Sequence, residues 1–247
     1  MFSFFHRTTK IHLDCFTTEN HVCENTPIVK ATKTLPKYFV DLPTPKFNLK
    51  RDINNIFVKE HITNLKDCYA FLEYFQNAIT IRHWADLYIE VTKEKYDYYS
   101  SFTKPEEHNR NEIGEGFVNY HHIKLISPWI LKEKSGVKFA WVGAEWNLDS
   151  YNFKVLPGII NFNINHHTNV NLMLPKEEKN IIIPAGLPIV NLIPLTDKKI
   201  KLVNQVITEK EMDSMRRSPQ QSYFHGWRTS KRLLKENKSK CPFGFGE

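Results

Sequence analysis

The stretch IKLISPWILKEKSGVKFAWV, residues 123–142, carries the clearest structural signal in the sequence. Short runs rich in isoleucine, tryptophan, phenylalanine and valine stand on either side of the turn sequence Lys134-Ser135-Gly136. β-Branched and aromatic residues are enriched in strands, and a short polar linker that contains glycine is typical of a hairpin. We therefore predict two strands joined as a β-hairpin here.

Four further strand candidates follow the hairpin sequence, at residues 154–160, 169–174, 180–183 and 189–195. Turn residues separate them at intervals of about 8–12 residues, which is the spacing of short strands in antiparallel sandwiches and barrels. Residues 123–195 should thus form a mostly antiparallel structure. The fold class that this predicts is mainly β (α+β), an antiparallel β-sandwich or a barrel.

The N-terminal half shows weaker periodicity. Its clearest elements are a strand at 10–16, a short helix at 36–40 that begins with proline, and a strand at 87–91. Residues 66–77 place apolar side chains at helical spacing behind Asp67, a candidate N-cap. Residues 93–119 are polar and are predicted to be the least regular internal stretch.

The C-terminal part changes character after residue 207. Thr208 and Glu211 form a capping-box pair, which predicts a helix through about Arg217. Ser218-Pro219 resembles the start of a second helix that runs toward Lys235. We therefore expect a β-rich core domain at 1–207 and a helical, basic arm at 208–247.

Length and composition are those of a globular protein. The chain has 247 residues, of which 41% are hydrophobic and 25% charged, so one large domain with an appendage is expected. No apolar run approaches the roughly 18 residues of a membrane span, and the polar start does not resemble a signal peptide. The four cysteines form no C-x-x-C pair, which favours free thiols in a reducing compartment. A soluble, non-exported protein with no membrane partner is expected.

The formal charge of +7 comes from one segment. Residues 216–240 hold eight basic side chains and a single acid, Glu236, while the rest of the chain has equal numbers of both signs. The basic side chains are Arg216, Arg217, Arg228, Lys231, Arg232, Lys235, Lys238 and Lys240. A localised positive charge predicts an anionic macromolecule as partner, either a nucleic acid or an acidic protein. The alternative is a solvated helix that only keeps the protein soluble.

Aromatic residues lie both inside and outside the arm. Within it, Trp227 with Tyr223 and Phe224 is suited either to stack on bases or to pack the arm against the core. Elsewhere, the tryptophans are expected to anchor strands in the core, because aromatic burial dominates core energetics. They are Trp84, Trp129, Trp141 and Trp146.

Two histidine pairs, at 121–122 and 166–167, raise the hypothesis of a metal site. Adjacent side chains of a strand point to opposite faces, so each pair offers a common site only one imidazole. No H-x-D sequence occurs, since Asp86 stands one position too far from His83. We therefore expect ordinary hydrogen-bonded or surface histidines, and assign no metal and no cofactor.

The sequence Gly158-Ile159-Ile160-Asn161, followed later by Gly186-Leu187-Pro188-Ile189-Val190-Asn191-Leu192, resembles two motifs of the dUTPase and dCTP-deaminase group of trimeric β-barrels. The resemblance implies a nucleotide pocket lined by Gly158, Asn161 and Gly186, with the glycine-rich tail at 243–246 closing over it. Asn161 stands where that group has its water-orienting aspartate, and an amide cannot act as an anionic base. Residues 183–190 also resemble a cupin turn, but Ile189 occupies the position of the metal-binding histidine.

Five segments resemble a family of tailed-bacteriophage proteins found notably in T4-like marine phages. They are residues 27–36, 84–89, 127–132, 156–160 and 183–188. The resemblance implies a phage accessory protein in the host cytoplasm or in the virion. It brings no reaction, cofactor or site residue with it.

Together these observations favour a protein that binds an anionic macromolecule through its basic arm and for which no catalytic residue is assigned. One alternative is a dUTPase-like enzyme that binds or hydrolyses nucleotides, with Asn161 in its pocket. The other is a structural component of the virion that uses the same arm for assembly. A homo-oligomer is compatible with each of them.

Overall fold

The computed structural model describes residues 10–51, 57–62, 64–107, 117–148 and 152–216. The first strands along the chain are β1 Ile11–Thr17, β2 Val29–Lys30, β3 Lys46–Arg51, β4 Phe57–Ile62, β5 Ile79–Arg82, β6 Leu87–Val91, β7 Tyr96–Tyr99 and β8 Pro105–Glu107. The remaining strands are β9 Tyr120–Leu125, β10 Ile130–Glu133, β11 Lys138–Gly143, β12 Lys154–Val155, β13 Gly158–Asn161, β14 Val170–Pro175, β15 Lys179–Ile183, β16 Pro188–Pro194 and β17 Ile200–Val206. The helices are α1 Asn20–Asn25, α2 Lys37–Val40, α3 Tyr69–Asn77 and α4 Glu209–Arg216.

The strands form open sheets, and this part of the chain is mainly β, as predicted. The strand orders are β13-β11-β16-β5-β2, β12-β14-β9-β8, β15-β6-β7, β10-β1-β17 and the two-stranded β3-β4. Every pair is antiparallel except β1 with β17, which run parallel. No sheet closes on itself within the described residues, so the sandwich prediction is confirmed and the barrel alternative is wrong.

One large apolar core lies between the sheets. Leu13 of β1, Ile81 of β5, Ile89 of β6 and Ile123 of β9 are fully buried members of the same cluster. Each belongs to a different sheet and alternates with polar or less buried neighbours, because successive side chains of a strand point to opposite faces. Burial of this apolar surface is the main favourable contribution to folding.

A second, smaller cluster holds helices α2 and α3 against the sheet that contains β5. Phe71 of α3 stacks on Phe39 of α2 with ring centroids 4.3 Å apart, and Trp146 meets Phe71 edge-on at 4.9 Å. Aromatic pairs prefer these offset and edge-to-face arrangements. The predicted role of the tryptophans as core anchors is confirmed, since Trp84, Trp129 and Trp141 are buried and Trp146 packs in this cluster. Trp227 lies outside the described residues.

The predicted hairpin at 123–142 is wrong, although its strands exist. β10 pairs with β1, whereas β11 pairs with β13 and β16 in another sheet. The buried carboxylate of Glu133 accepts hydrogen bonds from the backbone N–H groups of Ser135, Gly136 and Val137 at 2.5, 2.8 and 3.0 Å. These bonds satisfy the donors of the turn as the chain leaves one sheet for the other, with Gly136 at a φ of +79°.

Other predicted elements need smaller corrections. The strands at 10–16, 169–174, 180–183 and 189–195 and the helix at 36–40 are confirmed. The helix at 66–77 begins at Tyr69, and its N-cap is Cys68 rather than Asp67, which lies in a 3-10 turn. The predicted strand at 154–160 is divided into β12 and β13. The stretch 93–119 is more regular than expected, since it contains β7 and β8.

The chain ends of the described core meet in the sheet β10-β1-β17, where Ile11 lies opposite Ile200. After β17 the predicted capping box forms: the Thr208 hydroxyl donates to Glu211 Oε2 at 2.8 Å, and the Glu211 N–H donates to Thr208 Oγ1 at 3.3 Å. Hydrogen bonds from Thr208 to the carboxylate hold the pKa of Glu211 below its usual range. Met212 is fully buried, so α4 is packed against the rest of the fold.

No helix in the described part of the chain is long and apolar enough to cross a membrane. Cys15, Cys23 and Cys68 are free thiols, and Cys241 lies outside the described residues. Burial raises the pKa of the Cys15 thiol well above its usual range, which keeps it protonated and unreactive.

The Glu133 turn gives a stability prediction. Glu133→Ala should lower the free energy of unfolding by about 3 kcal/mol, because three N–H groups lose a largely buried acceptor. Glu178→Ala, at an exposed carboxylate, should change it by less than about 0.5 kcal/mol. Urea denaturation followed by circular dichroism measures both values. Equal stability of the two variants would show that the carboxylate does not hold the turn.

Candidate functional site

The dUTPase-like positions lie far apart in one copy of the chain. Asn161 pairs with Lys138 at the end of β11 that adjoins Leu195, whereas Gly186 precedes the opposite end of β16. The length of β16 separates the two ends, which is roughly 20 Å at 3.3 Å per residue. Gly158 lies between them, opposite Trp141. The structure therefore does not bring Asn161 and Gly186 together within one chain, and a pocket shared between copies stays a prediction.

The side chain of Asn161 has a local partner. Its Oδ1 accepts the N–H of Asn163 at 2.9 Å, and its backbone oxygen accepts the N–H groups of Ile164 and Asn165 at 3.0 and 2.9 Å. Asparagine favours such turns because its side chain can bond to the backbone two residues further on. The amide oxygen of Asn161 thus shapes the turn after β13.

Gly186 belongs to a corner where two turns hold each other. The Gly186 N–H donates to the backbone oxygen of His83, and the His83 N–H donates to that of Leu187, both at 2.7 Å. The Ala185 N–H donates to Asp86 Oδ1 at 2.8 Å. Gly186 has a φ of +87°, a conformation that glycine adopts without a steric penalty. The turn between β5 and β6 is therefore fixed to the turn between β15 and β16.

This corner joins segments 84–89 and 183–188, two of the five that were singled out in the sequence analysis. A third such segment, 127–132, is held in a similar way. The buried hydroxyl of Thr168 lies 2.7 Å from both Ser127 Oγ and the backbone oxygen of Trp129, and Asn169 Oδ1 accepts the Ser127 N–H at 3.1 Å. Asp86 and Ser127, the polar residues of these segments, therefore form hydrogen bonds that stabilise turns.

Among the histidines that the structure describes, His83 has the pKa that departs most from its usual value. Its side chain is fully buried against Trp84, with ring centroids 4.9 Å apart. Burial lowers its pKa to about 4, and nearby backbone groups of Ala85 and Ile183 offset only part of that effect. Neither ring nitrogen reaches hydrogen-bond geometry with a described residue. The imidazole is therefore neutral at pH 7 and has no access to a substrate.

A buried polar chain links the two apolar clusters. The Thr80 hydroxyl donates to Asn191 Oδ1 at 2.7 Å, and Asn191 Nδ2 donates to the hydroxyl of Tyr74 at 2.9 Å. Thr34 Oγ1 lies 3.0 Å from Thr80 Oγ1. Burial raises the pKa of Tyr74, so its phenol stays protonated. This chain positions α3 on the sheet and presents no acid or base to solvent.

The histidine pairs have backbone partners. His121 Nε2 lies 2.9 Å from the backbone oxygen of Thr92, and His166 Nδ1 lies 2.8 Å from that of Phe162. Burial lowers the pKa of His166. The expectation of hydrogen-bonded histidines is confirmed for these two. Among the residues that the structure describes, no three His, Cys, Asp or Glu side chains are grouped to hold a metal ion.

A surface cavity of about 340 Å³ lies beside β7, lined by Glu94, Lys95, Tyr96, Asp97, Tyr98 and Glu107. Its one lysine is paired with Asp97 at 2.5 Å. Burial, followed by the charge of Glu107, raises the pKa of Tyr96 to about 12. The excess of carboxylates disfavours a phosphate ligand, so this cavity is unsuited to a nucleotide.

The arm is described only at its root. Arg216 ends α4, with Nη1 3.9 Å from Asp213 Oδ1, and its side chain is about half exposed. The other predicted binding residues, Arg217, Arg228, Lys231, Arg232, Lys235 and Lys238, lie outside the described residues.

A second basic surface was not predicted from the sequence. On each strand of the sheet β10-β1-β17, an inward-pointing buried residue has a basic residue on both sides: Lys132-Glu133-Lys134, Lys10-Ile11-His12 and Lys199-Ile200-Lys201. We call the five lysines of these triplets, Lys10, Lys132, Lys134, Lys199 and Lys201, the lysine face. The three triplets are far apart in the sequence, and the pairing of β1 with β10 and β17 brings them together.

Neither a scan against protein-family models nor a search of curated proteins finds a match to this chain. The resemblances to tailed-phage proteins and to dUTPases therefore rest on the quoted motifs.

The burial of His83 predicts a pH dependence of stability. Its folded-state pKa of about 4 lies below the value of about 6.5 expected for the unfolded chain, so the unfolded state binds more protons between these values. The free energy of unfolding is therefore unaffected by protonation of His83 above pH 6.5 and decreases as pH falls from 6.5 toward 4.

His83→Phe should remove this dependence. Between pH 7 and 4.5, the wild type should lose roughly 2.5 kcal/mol more of its free energy of unfolding than the variant. Urea denaturation at both pH values measures the difference. Parallel losses in the two proteins would show that His83 does not titrate on unfolding.

Proposed function

We propose that this chain is a bacteriophage accessory protein that acts in the host cytoplasm and binds nucleic acid through the basic segment 216–240 of its arm. The observation that carries this proposal is the segregation of charge: eight basic side chains and one acid stand in that segment. Lysine and arginine that neutralise phosphates release condensed counterions, which drives binding without regard to sequence.

The structure of α4 supports an arm with a fixed starting point. The capping box between Thr208 and Glu211 defines where the helix begins, and the buried Met212 packs it onto the fold. Arg216, the first cation of the basic segment 216–240, stands in the last turn of this anchored helix. Cations near a helix C-terminus are favoured by the helix dipole, so the position of Arg216 in the last turn stabilises α4.

The arm's residue types suit contact with both phosphates and bases. Arginine can bind a phosphate through two parallel hydrogen bonds, and lysine acts as a compact point charge. Trp227, Tyr223 and Phe224 stand among these cations in the sequence, where aromatic rings add stacking energy with unpaired bases. Binding of this kind is tolerant of sequence and strongly salt-dependent.

The enzyme alternative needs a pocket in which polar groups converge near Asn161. In the described residues, the Asn161 amide oxygen is bonded to its own turn, and Gly186 lies at the other end of β16. A dUTPase-like site would therefore have to form between copies of the chain. The virion alternative uses the same cations for assembly and differs only in where the protein is found.

The proposal predicts a steep salt dependence for binding to nucleic acid. If about four to six arm cations engage phosphates, affinity should fall by roughly two to three decades between 50 and 200 mM salt, because each contact adds about −0.7 to −0.9 to the logarithmic slope. Replacing Arg228, Lys231, Arg232 and Lys235 by glutamine should flatten that slope. Fluorescence anisotropy titrations measure it.

A matched control removes the same charge elsewhere. Lys33, Lys93, Lys104 and Lys179 are exposed and form no ion pair within the described residues, so their replacement by glutamine should leave the slope nearly unchanged. Both variants should melt close to the wild-type temperature. The proposal fails if the wild type does not bind at 50 mM salt, or if the arm variant binds like the control variant.

The substitution of an amide for the dUTPase aspartate gives an enzymological prediction. Purified protein with dUTP and Mg²⁺ should release no pyrophosphate above background, because Asn161 cannot accept a proton from water. A coupled pyrophosphate assay measures this. Robust turnover that disappears in a folded Asn161→Ala protein would favour the enzyme alternative.

A further inference from the structure

We propose that the lysine face is a second, preformed site for the phosphate backbone of double-stranded nucleic acid. This inference rests on the proposed function, because it adds a folded surface to the binding that the arm provides. All five lysines lie in the described part of the chain, and their proximity is not visible in the distribution of charge along the sequence.

Strand pairing fixes the relative position of the lysines. Lys201 lies opposite His12, and Lys132 lies opposite Asp14, across strands that are about 4.8 Å apart. Lys10 and Lys199 are neighbours, because the Ile11 N–H donates to the Lys199 backbone oxygen at 3.0 Å. Alternate residues of one strand are roughly 6.7 Å apart, so Lys132, Lys201 and His12 share one side of the sheet. Lys10 and Lys199 stand directly before β1 and β17, and Lys134 stands directly after β10, so the five lysines form a grid at this sheet.

The outward direction of these side chains follows from the burial of the residues between them. Ile11, Glu133 and Ile200 are each less than a tenth exposed and point into the fold. Their neighbours therefore point outward: Lys10, Lys134, Lys199, Lys201 and His12 are exposed, and Lys132 is half-buried. The grid is accessible to a macromolecule.

The positive charge of the face is not neutralised from within. None of its five lysines forms an ion pair, to judge from the described residues, and Asp14 is the one acidic side chain on the outward side of β1. Like charges on neighbouring strands repel and weaken a sheet. An anionic partner that spans several lysines removes this repulsion, which favours a polyanion over a single small anion.

Among the described residues, the lysine face holds no exposed aromatic side chain, which favours a duplex over a single strand. Single-stranded nucleic acid is bound by aromatic residues on which the bases stack, whereas a duplex offers phosphates on its outer surface. On the outward side of these strands, the lysines lie beside His12, Asp14, Val203 and Gln205, and the aromatic Phe16 on that side is buried. The exposed Tyr88 and Tyr99 lie opposite each other on β6 and β7, beside Glu90 and Asp97, where carboxylates repel phosphate.

The contacts that this grid can make position a duplex and carry no sequence information. Lysine ammonium groups bind phosphate oxygens as point charges, and contacts to phosphates carry no sequence information. The face is therefore expected to bind any duplex of sufficient length.

The full-length protein and a fluorescein-labelled 20-base-pair duplex of arbitrary sequence test the inference. In the face variant, Lys10, Lys134, Lys199 and Lys201 are replaced by glutamine; the control variant at Lys33, Lys93, Lys104 and Lys179 removes equal charge. At 50 mM salt, affinity should fall by roughly 10-fold or more in the face variant. The salt slope should become shallower by about 2 to 3, since each duplex contact contributes about 0.9. The control variant should stay close to the wild type.

The outcomes separate the two proposals. If the face variant binds like the control while the arm variant loses affinity, the lysine face is overturned and the arm proposal stands. If the arm variant binds like the control while the face variant loses affinity, the arm proposal fails and the face stands. If both lose affinity, and the combined variant loses more than either, both are supported.

Competition against the arm variant, in which the face is the remaining site, tests the assigned ligand. The concentration of each competitor is expressed as the concentration of its negative charges. On this scale, an unlabelled duplex should displace the probe at a lower concentration than a single strand of equal length or poly-L-glutamate. Equal displacement by the single strand would overturn the duplex assignment, and equal displacement by poly-L-glutamate would overturn nucleic acid in favour of an acidic protein.

Discussion

The parallel pairing of β1 with β17, with β10 on the other side of β1, is the constraint on which the rest of the fold depends. It joins opposite ends of the described chain, a closure that costs conformational entropy before any contact compensates for it. The compensation is burial, because Ile11, Leu13 and Cys15 all enter the core from β1. The same pairing continues into the Ile207 N–H, which donates to the Thr17 backbone oxygen at 2.9 Å and leads directly to α4. Both basic surfaces of the protein thus originate at one sheet.

The sequence predicts which residues form strands far better than it predicts how the strands pair. Alternation in 10–16 identifies the buried face of β1, since periodicity reports burial, whereas the apolar run at 189–195 indicates a strand that is buried on both faces. It contains no information about the neighbour across the sheet, and for this reason the local hairpin prediction for β10 and β11 was wrong. Glu133 decides the outcome: a carboxylate at a buried position is paired with the N–H groups of a turn that leaves the sheet. β7 was missed for a related reason, because its residues are mostly exposed and show no alternation.

The same distinction applies to the candidate sites. The charge of the arm is contiguous and is visible in the sequence, whereas the lysine face is assembled from three distant triplets whose charge is cancelled in the sum by acids elsewhere. The segments 84–89 and 183–188 could be singled out in the sequence, but their contact at the His83 corner could not be predicted. Asn161 was assigned to a pocket by resemblance, which stays a prediction, and the hydrogen bond from Asn163 gives its side chain a role in a turn.

The near-neutral balance of the chain outside the arm conceals a separation of charge in space. Lysines gather on the sheet β10-β1-β17, whereas Glu94, Asp97 and Glu107 gather at the cavity beside β7. A polyanion is attracted to the first surface and repelled from the second, and this field acts before contact by steering the encounter. Its strength falls as salt screens exposed charges over about 8–10 Å. In the proposed complex, the folded core sets the orientation on a duplex, with the sheet β10-β1-β17 toward the phosphates and the acidic cavity away from them. In that proposal, the arm adds affinity from its anchored start at α4.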